Sequence, residues 1–233
     1  MFDKGVRLMC NIECIRWCYK TLTRAEVTGK KVLEVGSYDV NGSLRYVLEP
    51  MGPAQYTGVD VEAGPGVDEI CGADKLVEHF GKESFDVVVS TCVLEHVRDW
   101  KTAVSNIKNV CRPNGTILII APAKWPYHAF PYDFWRFGTE DIKDIFGDCS
   151  IVKIEEDDAA NSNVYAKLTK PDGFIERNLD DYALYSIVTE SRVREIEDRT
   201  LDAFIKNQEK KNSRKKTKKA LKKALSRFLH KTG

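Results

Sequence analysis

Apolar residues in this chain gather in short unbroken runs separated by longer mixed segments. Four runs stand out: KVLEVG (31–36), QYTGVD (55–60), FDVVVS (85–90) and GTILIIA (115–121). A weaker run, VDEIC (67–71), lies between the second and third. Short strands that are apolar at successive positions suit a parallel sheet covered on both faces. The segments between the runs suit helices. Residues 43–49 and 73–80 each allow two turns, and 100–111 place Ala103, Val104, Ile107 and Val110 on one face. Pro113, Asn114 and Gly115 supply turn chemistry before the fourth run. Strands and helices in alternation predict a doubly wound α/β sheet.

The flanks read differently. Residues 3–25 read as helix, and 139–146 as a helix with Thr139 as N-cap. CSIVKI (149–154) and NVYAKLTK (163–170) read as two antiparallel strands, and 174–205 as a helical extension. The expected organisation is therefore a helical segment over 1–28, a main domain over 29–171, a helical extension over 172–205 and a tail over 206–233. There are no internal repeats.

Length and composition narrow the class. A chain of 233 residues has room for one large core plus appendages. Its longest apolar stretch, ILIIAPA (117–123), falls far short of the ~20 residues of a membrane span. The start, MFDKGVRLMCNIEC, has no apolar stretch followed by a cleavage site, so no signal peptide is expected. Seven cysteines, an odd number and several inside apolar runs, suggest reduced thiols and a cytoplasmic home. Cys10, Cys14 and Cys18 recur every four residues and read as small core-facing side chains. A metal site there would need a fourth ligand and has no CxxC pair, so no metal is expected.

Charge divides the chain. The net charge is +1, but residues 206–233 hold twelve Lys or Arg and one acid, a local +11 that leaves −10 on the rest. Within RKKTKKALKKALSRFLHK (214–231), Ala220, Leu221, Ala224, Leu225, Phe228 and Leu229 share one half of a helical wheel. Lys219, Lys222, Lys223 and Arg227 share the other. A basic amphipathic helix of this kind suits peripheral contact with an anionic membrane, such as the inner face of the cytoplasmic membrane. Two further readings are non-specific nucleic-acid binding, the less favoured partner, and a solvated extension.

Candidate chemistry sits at the ends of the runs. Glu34 lies among buried-looking Val32, Leu33 and Val35, where an unpaired carboxylate is costly. The run then enters a turn holding Gly36, Asn41 and Gly42. Gly36 allows close backbone approach, and Gly42 allows positive φ or a free N–H near the next helix. Asp60 ends the second strand, where an acid can accept two hydrogen bonds from a ribose diol. FDVVVSTCVLEHV (85–97) ends at the same sheet edge.

With VLEVGSYDVNGS, YTGVDVEAGPGVD, FDVVVSTCVLEHV, PNGTILIIAP and FPYDFWRF, the chain resembles class I S-adenosylmethionine-dependent methyltransferases over residues 30–170. Within them it is similar to a subgroup whose glycine loop reads GSxDxNG. The loop departs from the commoner GxGxG, with Tyr38 and Val40 where many relatives have glycine. The resemblance implies a Rossmann-like, seven-stranded, mostly parallel sheet with an antiparallel last strand. It implies S-adenosylmethionine as cofactor, with Glu34 near the methionine amino group and Gly36 and Ser37 beneath the cofactor. Asp60 would hold the ribose, Val61 the adenine, Ala73 and Asp74 the adenine amino group, and Cys92 and Leu94 the exit side. The pair Glu95 and His96 would shape the site. A nicotinamide-binding Rossmann protein is disfavoured: GSYDVNG lacks GxGxxG spacing, and Glu34 would repel a pyrophosphate.

The acceptor side is read from APAKWPYHAFPYDFWRF (121–137), where seven of seventeen residues are aromatic. These rings form either a hydrophobic plug or a wall for the acceptor. His128 is the candidate general base, Asp133 its orienter or a base itself, and Arg136 a clamp for an acidic acceptor or a partner of Asp133 or Glu140. No D/N-P-P-Y-type motif follows the fourth run, which disfavours base methylation of nucleic acids. The expectation is O-methylation of a small molecule or a sugar or glycan precursor. The alternatives are a degenerate methyltransferase fold acting as a scaffold through its tail, and an RNA methyltransferase using that tail as an electrostatic arm.

Overall fold

The computed structural model describes residues 12–40, 42–128 and 132–229, with the side chains of 215, 216 and 219–229 excepted. Two compact units are present, Met1–Arg194 and Glu195–Gly233.

The first unit is built on seven strands: β1 (Lys31–Val35), β2 (Gln55–Asp60), β3 (Glu69–Ile70), β4 (Phe85–Thr91), β5 (Cys111–Pro122), β7 (Ser150–Glu156) and β8 (Asn163–Thr169). Their order across the sheet is β3-β2-β1-β4-β5-β8-β7. The first five are parallel, and β8 runs antiparallel between β5 and β7. The four apolar runs are the central strands, as their patterning predicts. Strand order reverses between β1 and β4, where Val35 lies beside Ser90. In open α/β sheets that reversal opens a crevice at the carboxyl ends of the strands.

Helices α1 (Ile12–Thr21), α2 (Arg24–Val27), α3 (Arg45–Leu48), α4 (Leu76–Phe80), α5 (Trp100–Val110) and α6 (Thr139–Ile145) surround the sheet. Cys14 and Cys18 of α1 are fully buried in one apolar cluster with Val32, Leu48, Val87 and Leu118, the core-facing role read from their spacing. Cys10 lies outside the described residues.

Three local expectations are corrected. The helix expected over 3–25 is interrupted within its described part, because Thr23 caps a new helix: its hydroxyl accepts the Glu26 N–H at 3.3 Å while Glu26 accepts the Thr23 N–H at 2.8 Å. The cap of α6 is Gly138, whose N–H donates to Asp141 at 2.9 Å; Thr139 is already helical. Residues 172–197 are turns and strands rather than a helical extension. β9 (Leu184–Ser186) and β10 (Ser191–Val193) join β6 (Trp135–Arg136) in a second small sheet, ordered β10-β9-β6. Alternating burial of Leu184 and Ser186 about exposed Tyr185 gives β9 a strand period, and Trp135 and Arg136 offer it a partner.

In the second unit α7 runs unbroken over Asp198–Leu229, so the boundary expected at 206 is not a break in structure. The side chains of the expected amphipathic face at 219–229 lie outside the described residues. Among the described residues no helix is long and apolar enough to cross a membrane.

Candidate active site

Glu34 is the penultimate residue of β1, and its register partner on β4 is Val89. The Tyr56 hydroxyl donates to it at 2.6 Å, and the Leu44 backbone N–H supports it as well. Burial nevertheless pushes its pKa up to about 7, against the pull of Tyr56, Leu44 and the nearby Arg45. Glu34 is thus a buried acid poised between its neutral and charged forms.

The loop after β1 is held by the segment after β2. Gly36 and Ser37 donate to the Val59 carbonyl at 2.8 and 3.0 Å, and Asp39 donates to the Pro65 carbonyl at 2.8 Å. Gly36 has φ +77°, and a Cβ on it would lie 2.1 Å from Val93 Cγ2. The space that its missing side chain leaves is filled by the loop after β4. Gly42, at φ +115°, donates its N–H to Asp39 Oδ1 at 2.8 Å, and Asp39 Oδ2 accepts the Tyr46 hydroxyl at 3.0 Å. Asp39 is therefore the organiser of this turn. Sequence reasoning missed it, although an Asp three residues before a Gly is a known turn signal. Ser37 is buried, and its hydroxyl has no hydrogen-bond partner among the described residues.

Asp60 ends β2 half-buried. One carboxylate oxygen accepts the Tyr38 N–H and the other the Glu62 N–H, both at a long 3.3 Å. Cys71 donates to the Asp60 carbonyl at 2.9 Å and so brings the next segment alongside. A Cβ on Gly72 would meet Asp74 Oδ1 at 2.6 Å and Val61 Cγ1 at 3.7 Å. Asp60, exposed Val61, buried Ala73 and Asp74 are thus gathered beside β2. Cys92, just past β4, is buried with φ +56°, a conformation uncommon outside glycine, and Leu94 after it is buried.

The opposite half of the edge is built by 123–128 and 132–137. Arg136 is buried, and its guanidinium donates to both oxygens of Asp133, at 2.6 and 2.7 Å, and to the carbonyls of Trp125, Pro126 and Trp135. It is the pairing role expected for Arg136, and it leaves no donor for an acidic acceptor clamp. Burial opposes ionisation of Asp133, but Arg136 and His128 outweigh it and hold its pKa at about 2. Asp133 accepts the His128 backbone N–H at 2.8 Å and faces His128 Nδ1 at 3.1 Å. Burial works against a charged His128 ring, yet the pairing with Asp133 raises its pKa.

The aromatic residues divide. Phe134, Trp135 and Phe137 are core: Trp135 and Phe137 pack edge-on against Trp100, Phe134 stacks on Tyr132, and Trp135 Nε1 donates to the carbonyls of Val97 and Arg98. Trp125, Tyr127 and Tyr132 keep surface exposed, and the Trp125 ring lies 5.7 Å from that of His128. Phe130 lies outside the described residues. Sequence reasoning also passed over how Glu95 and His96 converge on His128: the two imidazole rings are 5.4 Å apart and edge-on.

Comparison with known proteins agrees with this architecture. Residues 33–119, spanning β1 to the middle of β5, match the family model described as a methyltransferase domain. Among solved structures, the Burkholderia thailandensis 1,6-didemethyltoxoflavin-N1-methyltransferase, determined with 1,6-didemethyltoxoflavin and S-adenosylhomocysteine, has a TM-score of 0.52 at 16% identity over 68% of this chain and 78% of its own. The N-methyltransferase NodS from Bradyrhizobium japonicum has a TM-score of 0.52 at 16% identity over 69% and 96%. The [4+2]-cyclase SpnF has a TM-score of 0.54 at 12% identity over 68% and 80%. Likeness at this level shows the fold alone, and one fold hosts several chemistries. No curated protein matches the sequence significantly. The domain match over 33–119 and the strand order agree on a Rossmann-like methyltransferase fold for the first unit.

Proposed function

We propose that this enzyme transfers the methyl group of S-adenosylmethionine to an oxygen of a small molecule or a sugar or glycan precursor. The observation that carries the reading is the placement of two half-sites on one sheet edge: Glu34 and Asp60 on one side of the strand reversal, and His128 with its Asp133 partner on the other. Asp60 takes the ribose hydroxyls, trading two long backbone contacts for two shorter bonds. Glu34 and the Gly36–Ser37 turn receive the methionine end. Val61, Ala73 and Asp74 border the adenine, and Cys92 and Leu94 line the side from which the methyl group leaves.

The sulfonium already activates the methyl carbon, so the protein's work is alignment and exclusion of water. The acceptor oxygen forms a bond to the methyl carbon as the carbon–sulfur bond breaks, and the sulfur leaves as a neutral thioether. The hydroxyl proton passes to His128, whose Nδ1 faces two acceptors, Asp133 at 3.1 Å and the Pro126 carbonyl at 3.0 Å, so that Nε2 is free to take it. A second proposal concerns the tail. The density of Lys and Arg along α7 supports attachment at an anionic membrane face, which suits a lipid-linked acceptor.

Calorimetry with S-adenosylmethionine and S-adenosylhomocysteine, on wild type and Asp60→Ala, tests the cofactor half. Micromolar binding lost in the variant supports it. Absence of binding to folded wild type overturns it. A screen of nucleotide-linked and lipid-linked sugars for methyl incorporation then tests the acceptor class.

A further inference from the structure

Glu95 is fully buried, and neither carboxylate oxygen accepts a hydrogen bond from any other described residue. Such a group is costly unless something compensates it. His96 Nε2 lies 3.7 Å from Oε1 and is itself buried, without a hydrogen bond among the described residues. His96 Nδ1 contacts the Tyr132 carbonyl, which can only accept, so Nδ1 carries the proton and the Nε2 lone pair turns toward Glu95. His128 repeats the arrangement. Its Nδ1 faces the Pro126 carbonyl and Asp133, leaving Nε2 as the lone-pair nitrogen. Donor atoms of Glu95, His96 and His128 all lie within 4.8 Å of one another.

Two imidazoles whose outer nitrogens are tied to a carbonyl or carboxylate, and whose inner nitrogens converge with an unsatisfied carboxylate, are the makings of a metal site. Bonds of roughly 2.0–2.2 Å to a tetrahedral ion put its donors about 3.4 Å apart. The Glu95–His96 separation of 3.7 Å is close to this, and a donor atom of His128 lies within 4.8 Å of both. We infer that Glu95, His96 and His128 bind one divalent transition-metal ion of the Zn²⁺ or Fe²⁺ class, with at least one coordination position open toward the acceptor. The donor set, two nitrogens and one oxygen, disfavours Ca²⁺ and Mg²⁺, which take oxygen ligands.

The site builds on the acceptor half of the proposed reaction and changes one assignment in it. With the ion bound, His128 is a ligand rather than a free base. The ion lowers the pKa of a coordinated acceptor hydroxyl, the proton goes to solvent, and the resulting oxygen anion attacks the methyl carbon.

The test is titration of the chelator-treated full chain with Co²⁺, read by its visible absorption, and with Zn²⁺, read by calorimetry. Wild type is compared with Glu95→Gln and His96→Ala, each checked by circular dichroism. The expected result is one equivalent bound by wild type and affinity lowered about 100-fold or more in each variant, beyond the 10–100-fold typical of losing an outer-shell partner. No binding by wild type, or equal binding by folded variants, overturns the inference. S-adenosylhomocysteine binding by the metal-free chain, measured in parallel, reports on the cofactor half alone. A chain that binds cofactor but no metal sinks the metal site and leaves the methyltransferase reading standing.

Discussion

Asp133 grips Arg136 through both carboxylate oxygens, at 2.6 and 2.7 Å, in a setting where each side chain is at most 5% exposed. The same carboxylate orients His128. One buried ion pair thus ties 133–136 to Trp125 and Pro126 and holds the candidate base in position.

Removing the cation alone should be severe. Arg136→Met leaves Asp133 charged and buried with only His128 to compensate it, and should lower stability by about 3 kcal/mol in urea denaturation. Pairing it with Asp133→Asn should recover a large part of that loss. Additive losses in the double variant would show that the pair is not coupled.

Gly36→Ala should destabilise by about 1–3 kcal/mol, because it adds a Cβ at 2.1 Å from Val93 and strains a positive φ. Adding Val93→Ala removes the clash but not the strain, so the double variant should recover only partly. Full recovery would mean that the backbone conformation costs nothing.

Glu34 predicts a proton linked to cofactor binding. Its folded pKa, about 7, is above the usual carboxylate value, so the folded chain holds this proton over roughly pH 4.5–7 while the unfolded chain has released it. Its contribution to stability therefore falls as pH rises through that window, and Glu34→Gln should flatten the decline. A cationic methionine end placed beside Glu34 favours its ionised form. Binding of S-adenosylmethionine at pH 6 should then release a proton, seen as a dependence of the calorimetric heat on buffer ionisation enthalpy and lost in Glu34→Gln.

His128 and Asp133 give opposite pH signatures. The raised folded pKa of His128 means that its pairing is fully present below about pH 6.5 and lost as pH rises through the higher folded value. The lowered pKa of Asp133 means that its contribution is present above about pH 4 and lost as pH falls toward 2. Acid unfolding should move to higher pH in Asp133→Asn. If His128 is the base, kcat should rise with pH through the His128 pKa, and His128→Gln should abolish that rise.

Deleting residues 206–233 should leave methyl transfer to a soluble acceptor within about twofold. It should also abolish sedimentation with anionic vesicles, an attachment worth about 1 kcal/mol per basic residue near the surface and weakened by salt. Equal sedimentation of the truncated chain would end the membrane reading.

The central sheet was legible because buried parallel strands are apolar at every position, and that signal is local. Glu34 and Asp60 were legible for a related reason: each is an acid where a strand meets a turn. β6 and β9 were not. Each is two or three residues long, too short to show a period, and Ser186 faces Trp135 across fifty intervening residues. The convergence of Glu95 and His96 with His128 was hidden similarly, since it depends on the Tyr132 carbonyl turning one ring. The sequence signal was a pair of titratable residues in the first turn beyond a strand that ends at the site.

The β6–β9 pairing makes the acceptor wall a two-piece part. Trp135 and Arg136, at the end of this wall, pair with Ser186 and Tyr185 of β9, which β10 backs in turn, while the Glu34 and Asp60 half draws on neither piece. Exchange of acceptor preference between related enzymes should therefore work as a paired transplant of both segments. Moving the aromatic segment alone would leave the graft without its clasp.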